Sequence, residues 1–525
     1  MLNKKLNKLV TLSKDLRAWL AFFAGLSLTF AYAPFNLWPL VFVAIAIACY
    51  CTDVKDTKLV AKYGFIFSFG WFTAGISWVH VSISQFGGLP LPVSLLLMAL
   101  LCGYLALFPT LAFLSAHKFS RAPWQRVFLL ISGFAIFEFF RGKLLTGFPW
   151  LSFGYTLTDS PFNRLAPLIG EVGLTLMCVL LGACLYALVT ARQYLLSTYT
   201  VIAVSLLFLL SHFVQSPSYN HKTITTLLVQ GNIQQSLRWE PEQFWPTMSK
   251  YRDMTRVHWQ NTDLVVWPEA AIPEIEDIAY PFLEGLDKAA AFNNTAVITG
   301  IPDYQFNTKT VYNTLIVLGK KNNDDQTGHY QYLHPNRYQK HQLLPIGEFV
   351  PFEELLRPLA PLFNLAMSSF NRGERVQTNL IANGLNILPA ICYEIAFSEL
   401  VRDNFTEESD LLFTVSNDAW FGDSHGPHQH MQIARMRALE LQRPLIRVTN
   451  NGITGVFDPI SKIQTSLPQF TDDVLKVDVK LISGISPFSQ HGQTPMWWIV
   501  IGMLISVILV NTKRLVAAKL ERHFL

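Results

Sequence analysis

The sequence is poor in charged residues. Of its 525 residues, 51% are hydrophobic and only 15% are Asp, Glu, Lys or Arg, against about 25% charged residues in ordinary soluble domains. The shortage is uneven, because the runs 18–52, 63–117, 193–221 and 481–512 contain no charged residue. A membrane-spanning helix needs roughly 20 apolar residues. Runs of this length therefore disfavour a single soluble domain and predict several membrane spans.

The uncharged runs and their neighbours predict about eight spans. The first run holds two, with a turn at Ala33–Asn36, and the second holds two, with a break at Gln85–Gly88. The others lie near 124–140, 166–190, 195–214 and 495–510, and the fifth is the shortest because Glu138 stands at its end. The alternative, a cleaved signal peptide followed by buried core helices, is disfavoured because seven candidate spans precede residue 215.

Lysine and arginine in the loops predict the orientation. They cluster before span one, between spans two and three, between four and five, and after span eight (Lys4, Lys5, Lys8, Lys14, Arg17; Lys55, Lys58, Lys62; Lys118, Arg121, Arg126; Lys513, Arg514, Lys519, Arg522). Eight spans place all of these on one side, which the positive-inside rule makes cytoplasmic. Arg141, Lys143 and Arg164 are exceptions. We expect a seven-span bundle over 1–220, an exported domain over 221–490, and an eighth span with a cytoplasmic tail over 491–525.

Cysteine is also scarce. Five of the six cysteines lie in or beside predicted spans, and Cys392 is the only one in the block 221–490. A lone thiol excludes a disulfide framework within that block. It leaves two alternatives, an inert buried cysteine or a reactive one.

The exported block predicts a layered α/β domain. Short apolar runs favour strands at 223–229, 263–267, 295–300, 310–318, 386–391, 411–415, 444–449 and 452–457, with helical patterns between them such as 432–442. Strands that alternate with helices indicate α/β layers. Reactive groups gather at strand ends in such folds.

Three polar residues in this block form a chemically coherent set. Glu269 and Cys392 each follow a predicted strand, and Lys340 stands in the stretch that leads to Glu348. A carboxylate can take the thiol proton as general base, and an ammonium can donate to a developing oxyanion. Cys392 also precedes a possible helix start, which would favour the thiolate. Glu348 could orient the lysine or shuttle a proton. Singly, each charge is more often an exposed surface residue.

Longer motifs surround these residues. They are Gln230–Trp239, Trp267-Pro-Glu269, Lys340 to Leu-Leu-Pro-Ile-Gly-Glu348, Cys392-Tyr-Glu394, Ser416–Gly422, Arg437–Glu440 and Thr449–Thr454, with Thr146–Trp150 and Phe153–Tyr155 in the membrane part. Together they resemble the nitrilase (C–N hydrolase) superfamily and, within it, the apolipoprotein N-acyltransferase family. Ile346 departs from the aromatic residue expected in Pro-Phe-Gly-Glu, which is an apolar exchange. The resemblance covers nearly the whole chain and implies an αββα sandwich for the exported domain.

The resemblance also implies a function. Glu269, Lys340 and Cys392 would be the catalytic triad of an acyltransferase that takes a fatty acyl chain from a phospholipid, phosphatidylethanolamine in our expectation, as a Cys392 thioester. The α-amine of a diacylglyceryl-cysteine at a lipoprotein N-terminus would then receive the chain as an amide. The enzyme would lie in the bacterial inner membrane, with its catalytic domain periplasmic and both termini cytoplasmic. No metal or other cofactor is expected. Trp239, Tyr393 and Glu394 would shape the pocket or hold Cys392, although the tryptophan and the tyrosine could equally be core residues.

Two further features and two competing functions stay open. The apolar stretch 358–367, with Trp420 and Phe421, could form a lid that dips into the membrane or a buried helix. His425, His428 and His430 lack the spacing of a metal site, and neither a phosphate-binding loop nor a nucleic-acid-binding stripe occurs.

A membrane-tethered amidase or nitrilase would pass the acyl group to water. A transporter would need charges inside its spans, where Glu138 and Glu171 are the candidates.

Overall fold

The structure, a computed structural model, describes residues 15–190, 194–213, 217–345, 347–349 and 370–524. The chain divides into two units. One is helical, and the other contains Trp78–Ser94 and the described residues from 217 to 490. The possible lid at 358–367 and the variant position Ile346 lie outside the described residues.

The first half of the chain is helical, as the uncharged runs predict. The helices are α1 (Leu16–Ser27), α2 (Leu40–Thr52), α3 (Thr57–Gly75), α4 (Leu91–Phe119), α5 (Pro123–Arg141), α6 (Ala166–Val189) and α7 (Tyr194–Phe213). Asp15 and Asp56 accept backbone hydrogen bonds at the starts of α1 and α3, as carboxylates at helix N-termini commonly do. A short helical turn (Val79–Val81) and a π-helical turn (Ser82–Phe86) follow α3. The helical structure is interrupted at both predicted turns, within Ala33–Asn36 and from Gly87 onward.

Fewer helices than the eight predicted spans are long enough to cross a membrane. Among the described residues three meet a test of length and composition, Leu91–Phe119, Pro161–Val189 and Thr494–Lys513, and a fourth is reached if Thr57–Gly75 and Val79–Phe86 form one span. Leu16–Ala31, Leu40–Thr52 and Ser197–His212 are apolar but shorter. Several apolar helices are therefore present, and the count of eight spans stays a prediction.

One of the three charges that depart from the loop pattern is not a loop residue. Arg141 ends α5 and is buried at 1% exposure, where it pairs with Glu138. Its guanidinium also donates to the carbonyl oxygens of Phe148 and Trp150, the latter at 2.7 Å. A buried arginine that is paired and hydrogen-bonded in this way fixes the following loop. The Glu138 charge that a transporter would need is thus already paired with Arg141.

The described residues from 217 to 490 contain twelve strands. They are β1 (Ser218–Gln230), β2 (Leu264–Val266), β3 (Ala296–Gln305), β4 (Thr310–Gly319), β5 (Arg337–Gln339), β6 (Leu380–Ala382), β7 (Leu385–Ile391), β8 (Leu411–Ser416), β9 (Leu445–Thr449), β10 (Gly455–Phe457), β11 (Gln464–Ser466) and β12 (Asp473–Ser483). They form two six-stranded sheets with the orders β12-β1-β2-β3-β4-β5 and β11-β10-β9-β8-β7-β6. The predicted boundary after residue 220 falls inside β1.

The two sheets pack face to face between helices. Alternate residues of both sheets, such as Leu228, Ile298, Ile387 and Phe413, share one buried cluster. The helices of this block are α8 (Pro241–Arg256), α9 (Glu276–Phe292), α10 (Ser398–Asp403), α11 (Gly426–Leu441) and α12 (Pro487–His491), and α13 (Thr494–Phe524) follows. Helices α8 and α9 cover the outer face of the first sheet, and α11 packs on β9 of the second. The layers thus follow the αββα order, and each large apolar side chain buried in them stabilises the fold by about 1.5–3 kcal/mol.

Eight strands were predicted and four were missed. β5, β6 and β11 have three residues each, too few for a visible alternation of apolar and polar residues. β12 does alternate, with Val477 and Val479 between charged residues, and it pairs antiparallel with β1. The helix predicted at 432–442 begins earlier, at Gly426, because Pro427 suits the first turn of a helix.

Candidate active site

Strand ends bring the predicted triad to one region of the catalytic domain. Glu269 lies three residues after β2, Lys340 directly follows β5, and Cys392 directly follows β7. β2 and β5 belong to the first sheet and β7 to the second. The site is therefore assembled from both layers of the sandwich, and polar side chains collect where buried strands end.

Glu269 is held by donors on both carboxylate oxygens. Its Oε1 accepts from Asn313 Nδ2 at 2.8 Å and from Lys340 Nζ at 3.2 Å, and its Oε2 accepts from the Asn417 backbone N–H at 2.9 Å. Burial would raise the pKa of Glu269, but the Lys340 and Arg238 cations and these hydrogen bonds outweigh burial and lower it. The resting carboxylate is ionised and fixed in orientation, as a general base requires.

Lys340 lies between two carboxylates. Its Nζ is 2.9 Å from Glu348 Oε1 and 3.2 Å from Glu269 Oε1, and the side chain is 1% exposed. Although burial lowers the pKa of a lysine, Glu269 and Glu348 raise that of Lys340 well above its ordinary value. Glu348 is itself oriented by the Leu344 backbone N–H at 2.8 Å and by Asn313 Nδ2 at 2.9 Å. The lysine is thus a permanent cation in a fixed place, and such a group can donate a hydrogen bond to an oxyanion.

Cys392 sits on a backbone turn instead of at the start of a long helix. It has φ +55°, a left-handed conformation that is uncommon for a residue with a side chain, and a five-residue 3₁₀ turn begins with it (Cys392–Ala396). So short a turn lacks the aligned peptide dipoles of a helix. Burial and the Glu269 charge raise the pKa of the Cys392 thiol to about 12, against the opposing effects of Lys340 and Ser416. The turn therefore favours a thiolate less than a long helix would, and burial favours the neutral thiol.

Glu394 joins the two loops that carry Cys392 and Lys340. Its Oε1 accepts from the backbone N–H groups of His341 at 2.7 Å and Gln342 at 3.0 Å. Its Oε2 accepts from Ile391 N at 2.8 Å and from the Tyr338 hydroxyl at 3.1 Å. The fully buried carboxyl group therefore fixes the turn that carries Cys392 against the loop that carries Lys340, through hydrogen bonds from their backbones.

Tyr393 and Trp239 surround this frame. The Tyr393 ring is buried and packs edge-on against Phe397, with the ring centroids 5.1 Å apart. Trp239 is partly exposed and lies 5.6 Å from the guanidinium of Arg238. Arg238 in turn donates to the carbonyl oxygen of Glu269. Trp239 is thus linked to Glu269 through Arg238.

Four residues of the site were not singled out from the sequence. Asn313 bridges Glu269 and Glu348, Arg238 holds the Glu269 backbone, Ser416 contacts the Cys392 sulfur, and Asn417 donates to Glu269. Arg238, Ser416 and Asn417 stand inside motifs that were noted, without a role. Asn313 lies in the middle of β4, where nothing in the local pattern distinguishes it from any other strand residue.

Two of the three histidines have different partners in the structure. His430 Nε2 lies 3.1 Å from the carbonyl oxygen of Cys392, whereas His428 Nε2 lies 3.0 Å from Gln469 Nε2. Within the described ranges no group of three His, Cys, Asp or Glu side chains has the arrangement of a metal site. His430 instead belongs to a buried network beside Cys392.

Comparison with known proteins covers both parts of the chain. Residues 24–184 match the family model described as the apolipoprotein N-acyltransferase N-terminal domain, and residues 228–484 match the carbon–nitrogen hydrolase model. The chain is 46% identical over 490 residues to the apolipoprotein N-acyltransferase of Shewanella oneidensis, with 92% of this chain and 93% of that protein covered. It is 45% identical over 505 residues to that of Photobacterium profundum (95% and 96% covered) and 41% identical over 508 residues to that of Haemophilus influenzae (94% and 95% covered).

The chain belongs to the apolipoprotein N-acyltransferase family. Its αββα block is a nitrilase-like C–N hydrolase domain, and its N-terminal region carries several apolar helices. Membership confirms the resemblance drawn from the motifs and makes the protein an acyltransferase of lipoprotein biosynthesis. The matches extend over the helical region as well as the hydrolase domain, which favours this family over a tethered amidase.

Proposed function

We propose that this protein transfers a fatty acyl chain from a phospholipid to the N-terminal amine of a diacylated apolipoprotein, through a thioester on Cys392. The observation that carries the proposal is the fixed set of Glu269, Lys340 and Glu348 beside a thiol at a strand end. Family membership supports the acceptor. The nature of the donor, phosphatidylethanolamine in our proposal, follows from the need for an acyl ester at the bilayer surface.

In the first step the Cys392 sulfur attacks the ester carbonyl carbon of the phospholipid. Glu269 takes the S–H proton, and Lys340 donates a hydrogen bond to the oxygen that becomes negative. When the tetrahedral intermediate collapses, the C–O bond breaks and the proton passes from Glu269 to the departing lysophospholipid. General base catalysis contributes about 10²–10⁴-fold and an oxyanion donor about 10²–10³-fold to such a step.

In the second step the lipoprotein amine attacks the thioester carbonyl. Glu269, ionised again after the first step, accepts a proton from the amine, and Lys340 again faces the oxyanion. The C–S bond breaks, an amide forms, and the proton returns from Glu269 to the Cys392 sulfur. Glu348 and Asn313 keep the lysine and the base aligned in both steps, a role supported by their contacts at 2.9 Å and 2.8 Å. Trp239, Tyr393 and Glu394 complete the proposed site.

The proposed setting is the bacterial inner membrane. Residues 1–220 and 491–525 would form an eight-span bundle with both termini cytoplasmic, and 221–490 would be the periplasmic catalytic domain. The lysine and arginine clusters of the loops support this orientation. Both substrates are lipids, so a catalytic domain held at the membrane surface meets each of them without extracting it from the bilayer.

Labelled phospholipid, given to the purified protein with and without a diacylated peptide, tests the proposal. We expect labelled peptide and lysophospholipid in equal amounts when the peptide is present, and slow turnover without it. A Cys392→Ala variant should make neither product, whereas Cys178→Ala, which alters a buried cysteine of α6, should retain activity. Release of free fatty acid at the same rate with or without the peptide would instead show a hydrolase.

A further inference from the structure

A buried polar cluster lies behind the nucleophile. It consists of Ser416 at the end of β8, Asp418 in the turn that follows, His430 in α11 and Arg447 in β9, all at most 2% exposed. The Ser416 hydroxyl lies 3.3 Å from the Cys392 sulfur and 2.6 Å from Asp418 Oδ1. The cluster therefore contacts the Cys392 sulfur through Ser416, a residue without a role in the two steps proposed above.

The Ser416 hydroxyl has two acceptors within reach and only one proton. Asp418 is ionised, because Arg447, whose Nη2 lies 2.8 Å from Asp418 Oδ2, outweighs burial and holds the pKa of that carboxyl well below its ordinary value. An ionised carboxylate only accepts hydrogen bonds. While Cys392 is a thiol, Ser416 consequently donates to Asp418, and its oxygen can only accept a hydrogen bond from the Cys392 side.

The hydrogen of the His430 ring points to the backbone and not to the sulfur. The ring Nε2 faces the carbonyl oxygen of Cys392 at 3.1 Å and must therefore carry the hydrogen. His430 Nδ1 lies 3.0 Å from Arg447 Nη2 and 3.2 Å from Asp418 Oδ1. Burial and the Arg447 charge lower the pKa of His430, so the ring is neutral; with its hydrogen on Nε2, Nδ1 accepts from Arg447 and donates nothing to Asp418. The histidine holds the nucleophile backbone and the arginine holds Asp418. The serine hydroxyl is then the one group of this cluster whose hydrogen can turn toward the sulfur.

We propose that the Ser416 hydroxyl turns from Asp418 to the Cys392 sulfur when Glu269 removes the thiol proton, and that Asp418 is the positioning residue that opposes this turn. The S–H bond breaks and its proton goes to Glu269. The Ser416 O–H bond stays intact and rotates, and Asp418 keeps its charge throughout. The proposal rests on Cys392 as the nucleophile of the proposed function.

In this arrangement the thiolate gains a hydrogen bond from Ser416 only when the hydrogen bond from Ser416 to Asp418 is broken. Asp418 thereby favours the neutral thiol until a substrate carbonyl is in place, which limits wasteful oxidation or alkylation of the only thiol in the catalytic domain. The remaining charged groups that act on the sulfur are Glu269, Glu348, Lys340 and Arg238. These groups are unchanged in every variant considered below, so their effect on the pKa of the Cys392 thiol is the same in each.

The rate of alkylation of Cys392 by iodoacetamide measures the thiolate fraction directly. The full-length protein in detergent would be treated between about pH 7 and 10, and modification would be followed on the Cys392 peptide by mass spectrometry, so that the five other cysteines do not contribute. Each unit of thiol pKa changes the rate about tenfold at a pH below that pKa. We expect Ser416→Ala to slow alkylation by roughly three- to tenfold, because the thiolate loses its donor.

Thr414→Val is the matched control. Thr414 is buried on the same strand, and its hydroxyl has no hydrogen-bond partner among the described residues. This variant should alkylate at the rate of the unmutated protein. If Ser416→Ala does so too, the hydroxyl does not reach the sulfur and the proposal is overturned, even should Asp418 variants fail to fold.

A double-mutant cycle separates the serine switch from a plain charge effect. Asp418→Asn should accelerate alkylation by roughly tenfold, since the competing acceptor is weakened. In the Ser416→Ala background that acceleration should vanish. An acceleration of equal size in both backgrounds would mean that Asp418 acts by its charge alone, and would overturn the proposal. Activity of Cys392→Ala would refute the proposed function instead, without changing the outcome of this cycle.

Discussion

Asn313 offers the sharpest perturbation of the base without touching the triad. Its side-chain amide donates to Glu269 Oε1 at 2.8 Å and to Glu348 Oε1 at 2.9 Å, and the residue is 7% exposed. Asn313→Ala removes both bonds and leaves Lys340 as the side-chain donor to Glu269 Oε1 in the described structure. The Glu269 carboxylate loses part of what lowers its pKa and is held less firmly in its orientation, by Lys340 and the Asn417 N–H alone among the donors described above.

The expected loss follows from the strength of such bonds. A hydrogen bond to a charged group is worth about 1.5–3 kcal/mol, and about 1.4 kcal/mol corresponds to tenfold in rate. If the alignment supplied by one of the two bonds is lost, thioester formation should slow by roughly 10- to 150-fold. Asn313→Asp should be worse, because a third carboxylate beside Glu269 and Glu348 raises the pKa of the set and moves the acid limb of the pH profile upward.

The assay is single-turnover formation of the acyl-enzyme from a fluorescent phospholipid, measured across pH. Asn379→Ala is the matched control, because the Asn379 amide also donates to two oxygens, those of Asn386 at 2.8 Å and Ser409 at 2.7 Å, but both acceptors are uncharged. The control should lose stability without losing rate. A rate for Asn313→Ala within twofold of the unmutated protein, or an unmoved acid limb in Asn313→Asp, would refute the role given to Asn313.

Three further predictions concern the triad and the membrane. The rate of thioester formation should stay level from about pH 5 to 8 and fall only below the ordinary carboxyl pKa of 4.5, since Glu269 has a lowered pKa and Cys392 one of about 12; a midpoint near 6.5 in the single-turnover profile would point to a histidine base. Glu269→Gln with Lys340→Met should be little slower than the slower single variant, because the residues act as one unit; multiplied losses in the same assay would show separate steps. A reporter fused at residue 300 should be exported and one fused after Leu525 cytoplasmic; a cytoplasmic signal at 300 would overturn the predicted orientation.

The sequence was informative where structure depends on composition and local pattern. The strands that lead to Glu269 and Cys392 are short, apolar and bounded by polar residues, so their existence and approximate bounds could be predicted. β5 could not, because its three residues owe their strand conformation to pairing with β4. The helices also follow the uncharged runs, whereas the burial of Arg141 depends on carbonyl groups that lie seven and nine residues further along the chain.

The chemistry of the site was predictable in kind and less so in detail. A carboxylate, an ammonium and a thiol have evident complementary roles, and Glu348 does contact Lys340 as an orienting residue must. The protonation of Cys392 depends on burial, which no local pattern reports, and the expected helix start is a turn of five residues. Asn313 and Ser416 act through contacts across the fold, at separations of 44 residues from Glu269 and 24 from Cys392. Such contacts emerge only once the strands are paired.

The most direct test of the account is a covalent mass measurement on Cys392. The purified protein would be incubated with a phospholipid of defined acyl chains, without acceptor, and the Cys392 peptide analysed by mass spectrometry. We predict one acyl chain in thioester linkage on this peptide, removed by a diacylated acceptor peptide and absent from Cys392→Ala. Acceptor acylation that proceeds in Cys392→Ala, or an acyl chain found on another residue and discharged by the acceptor, would contradict the account.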